Sequence, residues 1–300
     1  MTNATSVKAK LRNVAEKESR PFDYILMHYF VERLLYRLSI STHADNFILK
    51  GGMLLYAMLD NDARATKDVD FLIIRIKNTQ EELARVFTEI CNVSSDDAIV
   101  FDASSITTQK IKEDADYEGV RVKITGYLDK TRQVLQFDIG YGDAVVPHPL
   151  DIDYPSLLGM ERPHLKAYSK ESFIAEKFEA MLALADANSR MKDFYDIYTL
   201  CSLYDFNGEI LSEAIQQTLT RRGTPLSENP TVFSLNFPQD KNKQVQWRAF
   251  QKRIEADTDI TFEEALSEIK EFLMPIYMSI LNKNRFTSSW SSDKGTWTLA

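Results

Sequence analysis

With 300 residues, 44 % of them hydrophobic and 27 % charged, the chain has a globular composition. Its length allows one large domain or two ordinary ones. The formal net charge of −8 argues against a surface given over wholly to nucleic acid, because phosphate neutralisation supplies most of that affinity. A nucleic-acid substrate would have to be met over a limited footprint, through a local basic patch. Cys91 and Cys201 lie in apolar helical stretches and read as small buried hydrophobes, not as a bridge. His28, His43, His148 and His164 are too scattered for a zinc site. No apolar run approaches the ~20 residues of a membrane span, and the polar start lacks the apolar core of a signal peptide. The expectation is a soluble, cytoplasmic protein with no membrane partner.

Residues 5–18 are helix-compatible up to the break at Pro21. From Phe22, the residues Ile25, Leu26, Tyr29, Phe30, Leu34 and Leu35 form one helical stripe. A loop over 39–45 leads to Phe47-Ile48-Leu49, then Lys50-Gly51-Gly52 and an apolar helix over 53–59. A strand is predicted over 69–76, a crossover helix over 79–91, and further strands over 105–111, 120–127 and 133–139. Four prolines between Pro147 and Pro163 mark an inter-domain connection. Beyond it the pattern is helical, over 170–187, 189–204, 208–220, 243–256 and 262–281. The Ser-rich tail from Asn284 carries two tryptophans and has no firm assignment. The boundary falls at 155/156, giving an α+β chain with an α/β domain and N-terminal helices over 1–155 and a mainly helical domain over 156–300.

Asp68 and Asp70 open the strand, and alternation points both to one face, with Val69, Phe71 and Ile73 on the other. Paired carboxylates repel unless a cation lies between them, and Mg²⁺ favours a few carboxylates plus substrate phosphates. An Asp-x-Asp triplet alone is weak evidence. Asp60/Asp62, Asp114/Asp116, Asp151/Asp153 and Asp257/Asp259 repeat it in turns or helix flanks, where solvated acids are ordinary. Only Asp68/Asp70 begin an apolar strand shortly after a glycine pair and a helix. At a helix start Gly51 and Gly52 could admit a phosphate, although for two glycines alone a tight turn is the better account. Asp138 shares a strand face with Gln136. It either completes a three-carboxylate site or faces solvent at an edge.

Lys177 falls inside the apolar arc of Phe173, Ile174, Phe178, Met181, Leu182 and Ala185, with Glu176 and Glu179 outside. An inward lysine needs an anionic partner or a path to water. Asp193 lies within the next helix's arc, Asp196 at its margin and Lys192 outside. A Lys177–Asp193 ion pair joining two helices, and a lysine held on a nucleotide phosphate, are compatible accounts.

Lys50-Gly51-Gly52, Arg64-Ala65-Thr66-Lys67-Asp68-Val69-Asp70, Ala175-Glu176-Lys177 and Ser189-Arg190-Met191-Lys192-Asp193-Phe194-Tyr195-Asp196 stand in that order. Arg221-Arg222-Gly223-Thr224 and Gln246-Trp247-Arg248-Ala249-Phe250 follow. The ordered set resembles the AbiEii/AbiGii toxin family, which is similar to the polymerase-β-type nucleotidyltransferases. The resemblance implies a mixed sheet carrying metal-binding Asp68, Asp70 and Asp138, with Lys177 and Asp193 in further catalytic roles. It places nucleotide on Lys50, Gly51, Gly52, Arg64, Thr66, Lys177 and Arg190. The superfamily's usual Gly-Ser is here Gly51-Gly52, so backbone alone would meet phosphate there.

The implied reaction is in-line attack of an acceptor hydroxyl on the α-phosphate of a nucleoside triphosphate, with two Mg²⁺ or Mn²⁺ ions. The acceptor would be RNA, at the tRNA 3′ end, with a protein hydroxyl as the alternative that the acidic charge keeps open. A non-catalytic nucleotide-binding regulator is the third reading. A cognate DNA-binding antitoxin is the implied partner.

Overall fold

The computed structural model describes residues 2–59, 63–114, 117–256 and 258–299, and the side chains of 112–118 lie outside the description. Asp60, Asp62, Asp116, Asp257 and the Asp114 side chain are therefore not described, whereas Asp151, Asp153 and Asp259 are exposed. The chain divides into two compact units, Met1–Asp143 with Pro149–Ala167, and Ala144–His148 with Tyr168–Ala300.

The first unit runs α1 (Ala4–Lys17), α2 (Phe22–Ser39), β1 (Phe47–Lys50), α3 (Gly51–Leu59), β2 (Val69–Ile73), α4 (Gln80–Cys91), β3 (Ile99–Asp114), β4 (Tyr117–Leu128), β5 (Thr131–Tyr141), β6 (Leu150–Asp153) and β7 (His164–Ala167). Pro21 is the N-cap of α2, where its missing N–H costs nothing. The strands form one mixed sheet in the order β3-β4-β5-β2-β1-β7-β6. The β2/β5 and β1/β7 pairs are parallel. Phe47, Phe71, Phe87 and Phe137 meet at ring separations of 5.2–5.7 Å along one side of this sheet and against α4. That aromatic cluster buries the face opposite the candidate acids, as the alternation predicts.

The strand expected to reach Ile76 ends at Ile73, because Arg75 turns at φ 61°. The Pro-rich connection contains β6, and with β7 it adds two strands to the sheet edge. Residues 156–167, beyond the expected boundary, thus carry β7 to the side of β1. Outermost β6 exposes Asp151 and Asp153, which pair with Lys166 and His164 at 2.7 and 2.9 Å. Charges of this kind discourage edge-to-edge pairing.

The second unit contains α5 (Lys170–Leu184), α6 (Met191–Leu203), β8 (Phe206–Asn207), α7 (Gly208–Arg222), α8 (Lys241–Ile254), α9 (Phe262–Leu281), β9 (Ser289–Ser291) and β10 (Thr296–Thr298). Side-chain oxygens of Ser169, Asn207, Asp240 and Thr261 cap α5, α7, α8 and α9, satisfying N–H groups the helices leave open. The tail is a hairpin. Trp297 stacks on Phe272 at 5.7 Å, and buried Trp290 donates to the Cys201 carbonyl at 2.7 Å. Both cysteines are free and buried, and burial pushes each thiol up to about 12. Among the described residues no helix is long and apolar enough to cross a membrane.

Candidate active site

The site in the first unit begins where β1 runs directly into α3. Gly51 makes that turn at φ 66°, a left-handed conformation other residues adopt only under strain. Antiparallel pairing sets Lys50 opposite Asp70, and parallel pairing sets Asp70 beside Asp138. Adjacent strands lie about 4.8 Å apart, so the two carboxylates share one end of the sheet. Asp70 packs on the Gly51 backbone so closely that a Cβ there would lie 2.0 Å from its Oδ2.

Gly52 has a separate steric reason. A Cβ on it would fall 2.6 Å from Thr66 Oγ1 and 2.9 Å from Thr66 Cβ. The hydroxyl that a Gly-Ser pair would carry is thus excluded by another hydroxyl standing in its space. Gly52→Ala is expected to destabilise the fold by about 1–3 kcal/mol through overpacking. Adding Thr66→Gly should recover most of that loss in a denaturant melt. Equal stability of the single and double variants would show that the contact does not matter.

Asp68 lies just before β2 and its Oδ1 accepts from Gln136 Nε2 at 3.0 Å. Asp138 accepts two hydrogen bonds from Arg121, from Nε and Nη2, each 2.8 Å long. Arg121 lies opposite Asp138 across β4/β5. The hydrogen bond from Asp138 raises the Arg121 pKa, aided by the charges of Asp138, Asp68 and Asp70. Arg121 binds Asp138 directly and also feels the charges of Asp68 and Asp70. The alternation of Arg121 with Val120 and Val122 reads simply as a half-exposed strand, and only the register reveals its position.

These acids offer the hard oxygen donors that a divalent cation takes. Among the described residues no three His, Cys, Asp or Glu side chains already form a metal cage. Arg121 holds both Asp138 oxygens and Gln136 holds one of Asp68. Asp70, on the Gly51 turn, and Asp138, in place of Arg121, are the oxygen donors a divalent cation would take. Lys50 is buried with its Nζ 3.3 Å from Asp143, a partner absent from the sequence-based set. Arg64 is half-buried.

The second unit holds the other cluster. Lys177 Nζ lies 2.8 Å from Asp193 Oδ1 and 2.7 Å from Asp196 Oδ2, with the Phe173 ring centroid at 4.7 Å. Arg190 Nε donates to Asp193 Oδ2 at 2.6 Å, and the Asn188 side chain fixes the Arg190 backbone. Burial alone would raise the Asp193 pKa, but Lys177 and Arg190 outweigh it and hold the carboxyl at about 2. Asp196, expected at the helix margin, is fully buried and a direct Lys177 partner. Glu179, expected outside the apolar arc, is also buried. It accepts from Arg222 at 2.9 Å and from the Thr224 hydroxyl. The Arg221-Arg222-Gly223-Thr224 motif therefore fastens the end of α7 to α5, the helix that carries Lys177.

Two solved structures are similar to this chain. The nucleotidyltransferase toxin MenT4 of Mycobacterium tuberculosis matches with a TM-score of 0.52 at 15 % identity, over 92 % of this chain and 99 % of that one. JHP933 of Helicobacter pylori matches with a TM-score of 0.46 at 17 % identity, over 87 % of this chain and 93 % of that one. The MenT4 likeness is one of fold. No curated relative matches the chain. A family model described as nucleotidyl transferase AbiEii toxin, type IV toxin–antitoxin system, matches residues 33–268. That span takes in both clusters, and the chain belongs to the AbiEii family of nucleotidyl transferase toxins.

Proposed function

We propose that this enzyme transfers a nucleoside monophosphate from a nucleoside triphosphate to a hydroxyl of RNA, at the tRNA 3′ end, from a site built on Asp68, Asp70 and Asp138. A nucleoside triphosphate donor and an antitoxin partner follow from membership of a nucleotidyl transferase family of type IV toxin–antitoxin systems; that the antitoxin binds DNA is part of the proposal. The observation that carries the reading is the pairing of Asp70 with Asp138 on parallel strands, beside the glycine turn that opens α3.

The acceptor oxygen would form a bond to the α-phosphorus as the bond to the β-phosphate oxygen breaks, releasing pyrophosphate. Two divalent cations, when bound, would lower the pKa of the attacking hydroxyl and offset charge on the leaving group. Asp68, Asp70 and Asp138 would hold them. Gly51 and Gly52 let phosphate approach backbone N–H groups at the helix start, and the Thr66 hydroxyl beside Gly52 adds a donor. Lys50 and Arg64 would supply positive charge toward the triphosphate. Asp193 and Asp196 fix the position of Lys177.

The test incubates the protein with Mg²⁺, each α-labelled nucleoside triphosphate and cell extract, then digests with ribonuclease or protease. Label lost only to ribonuclease supports the reading; label lost only to protease moves the acceptor to protein.

Arg121 gives a second check without turnover. Because its guanidinium competes for Asp138, Arg121→Gln should tighten Mn²⁺ binding about tenfold, in keeping with an ion-pair contribution of ~1.4 kcal/mol. Unchanged affinity in a calorimetric titration would remove Arg121 from the cation site.

A further inference from the structure

The acidic chain needs a confined basic surface if RNA is its acceptor, and α8 supplies one. Its sequence contains Lys241, Lys243, Arg248, Lys252 and Arg253 and no acidic residue. Lys243 is buried, donating to the Asp186 and Asn188 carbonyls at 2.8 and 3.1 Å, so it is structural. The other four are exposed.

The motif Gln246-Trp247-Arg248-Ala249-Phe250 divides in two. Trp247 turns inward and donates to the Ile260 carbonyl at 2.9 Å. Gln246, Ala249, Phe250 and Arg253, spaced i, i+3, i+4 and i+7, share another face. That face borders a cavity of about 510 Å³ whose remaining lining is Ser189, Arg190, Met191 and Lys192, from the start of α6. Its size falls within the roughly 300–1,000 Å³ of ligand sites.

Arg190, Lys192 and Arg253 border this cavity, and no acidic residue does among its described lining. Phe250 and Met191 are buried beneath the lining and Ala249 is small, so the charged groups at the cavity surface stand on a packed floor. Arg253 stands over the Phe250 ring at 5.4 Å, which pre-orders the guanidinium. Asp193, which touches Arg190, is fully buried and paired with Lys177 as well. Three cations with no acid between them match the regularly spaced phosphates of a nucleic-acid backbone.

We propose that the cavity between the start of α6 and the second half of α8 docks the phosphodiester backbone of the RNA acceptor. This rests on the reading of RNA as acceptor and names the surface that would meet it.

The experiment measures anisotropy of a fluorescein-labelled single-stranded RNA over a salt series, using Asp70→Asn protein so that no transfer intervenes. Lys192→Glu with Arg253→Glu should weaken binding at least about tenfold and lower the salt slope by roughly 1.4, at ~0.7 per phosphate contact on single strands. Lys283→Glu with Lys294→Glu makes the same charge change at exposed sites outside the cavity and should leave the slope unchanged. The thermal shift given by Mg²⁺ and nucleoside triphosphate should be equal in both double variants.

Equal RNA binding by both would overturn the docking site while leaving RNA as acceptor. Loss of the nucleotide shift with RNA binding kept would make this a triphosphate site and also overturn the proposal. No RNA binding by the protein carrying only Asp70→Asn would remove the RNA reading and the docking site together.

Discussion

Gly51→Ala is expected to cut nucleotide transfer by at least about 10²-fold, although it removes no functional group. The added Cβ would fall 2.0 Å from Asp70 Oδ2 and 2.7 Å from its Cγ. Asp70 sits on a strand whose backbone is fixed on both sides, by β1 and by β5. The side chain must therefore swing away, and a displacement of about 1 Å at a reacting centre can cost 10²-fold. Alanine at φ 66° also carries left-handed strain of about 1–2 kcal/mol.

Gly159→Ala separates the two effects. Gly159 has φ 67° with nothing within 4 Å of its would-be Cβ, so this variant carries the strain without the clash. It should lose about 1–2 kcal/mol of stability and keep full transfer activity. Equal activity of the two variants would mean that contact between Asp70 and the glycine turn is not needed.

The second large effect is on stability. Lys177→Ala leaves Asp193 and Asp196 buried with their shared ammonium gone, while Arg190 stays paired with Asp193. Removing one partner of a buried ion pair costs about 3–5 kcal/mol, because the remaining charge has no water to turn to. A denaturant melt of Lys177→Ala should show a loss of that size. Adding Asp196→Asn should return part of it, since an amide needs no countercharge. A loss within about 0.5 kcal/mol, as at ordinary surface sites, would contradict this account of the cluster.

Asp193 adds a pH signature. Its folded pKa, about 2, lies below the ordinary carboxylate value of about 3.9, so the folded state favours the ionised form. That stabilisation is complete above the ordinary value and is lost as pH falls from about 4 through 2. The protein with Lys177 intact should lose stability across this window more steeply than one carrying Asp193→Asn.

Alternation along β2 and β5 sufficed to put Asp70 and Asp138 on faces opposite Phe71 and Phe137. What it could not supply was register, and register is what makes Asp70 and Asp138 neighbours and brings Arg121 onto Asp138. A lone arginine between valines reads as a solvated face whether or not an acid waits opposite. In α5 the arc argument located Lys177 and mistook Glu179. The reason is that Ser172, Phe173, Ile174, Ala175, Lys177, Phe178, Glu179, Ala180 and Met181 are all buried, so the helix has little polar side to define an arc. Asp196 was misjudged likewise on α6. The strands β6 and β7 span four residues each, too few for a period to declare itself among prolines. The tail hairpin is held by tryptophan contacts distant in sequence, which no local pattern announces.

The measurement that bears most directly on the three-carboxylate site is transfer of α-labelled nucleotide by Asp68→Asn, Asp70→Asn and Asp138→Asn proteins of verified fold. Each substitution keeps the side chain's shape while removing charge from the proposed cation site. A cation's contribution of several kcal/mol, at 1.36 kcal/mol per tenfold, corresponds to losses of about 10³-fold. The account predicts losses of that order for all three variants. Transfer within a few-fold of wild type by Asp70→Asn and Asp138→Asn proteins would place the chemistry elsewhere in the chain.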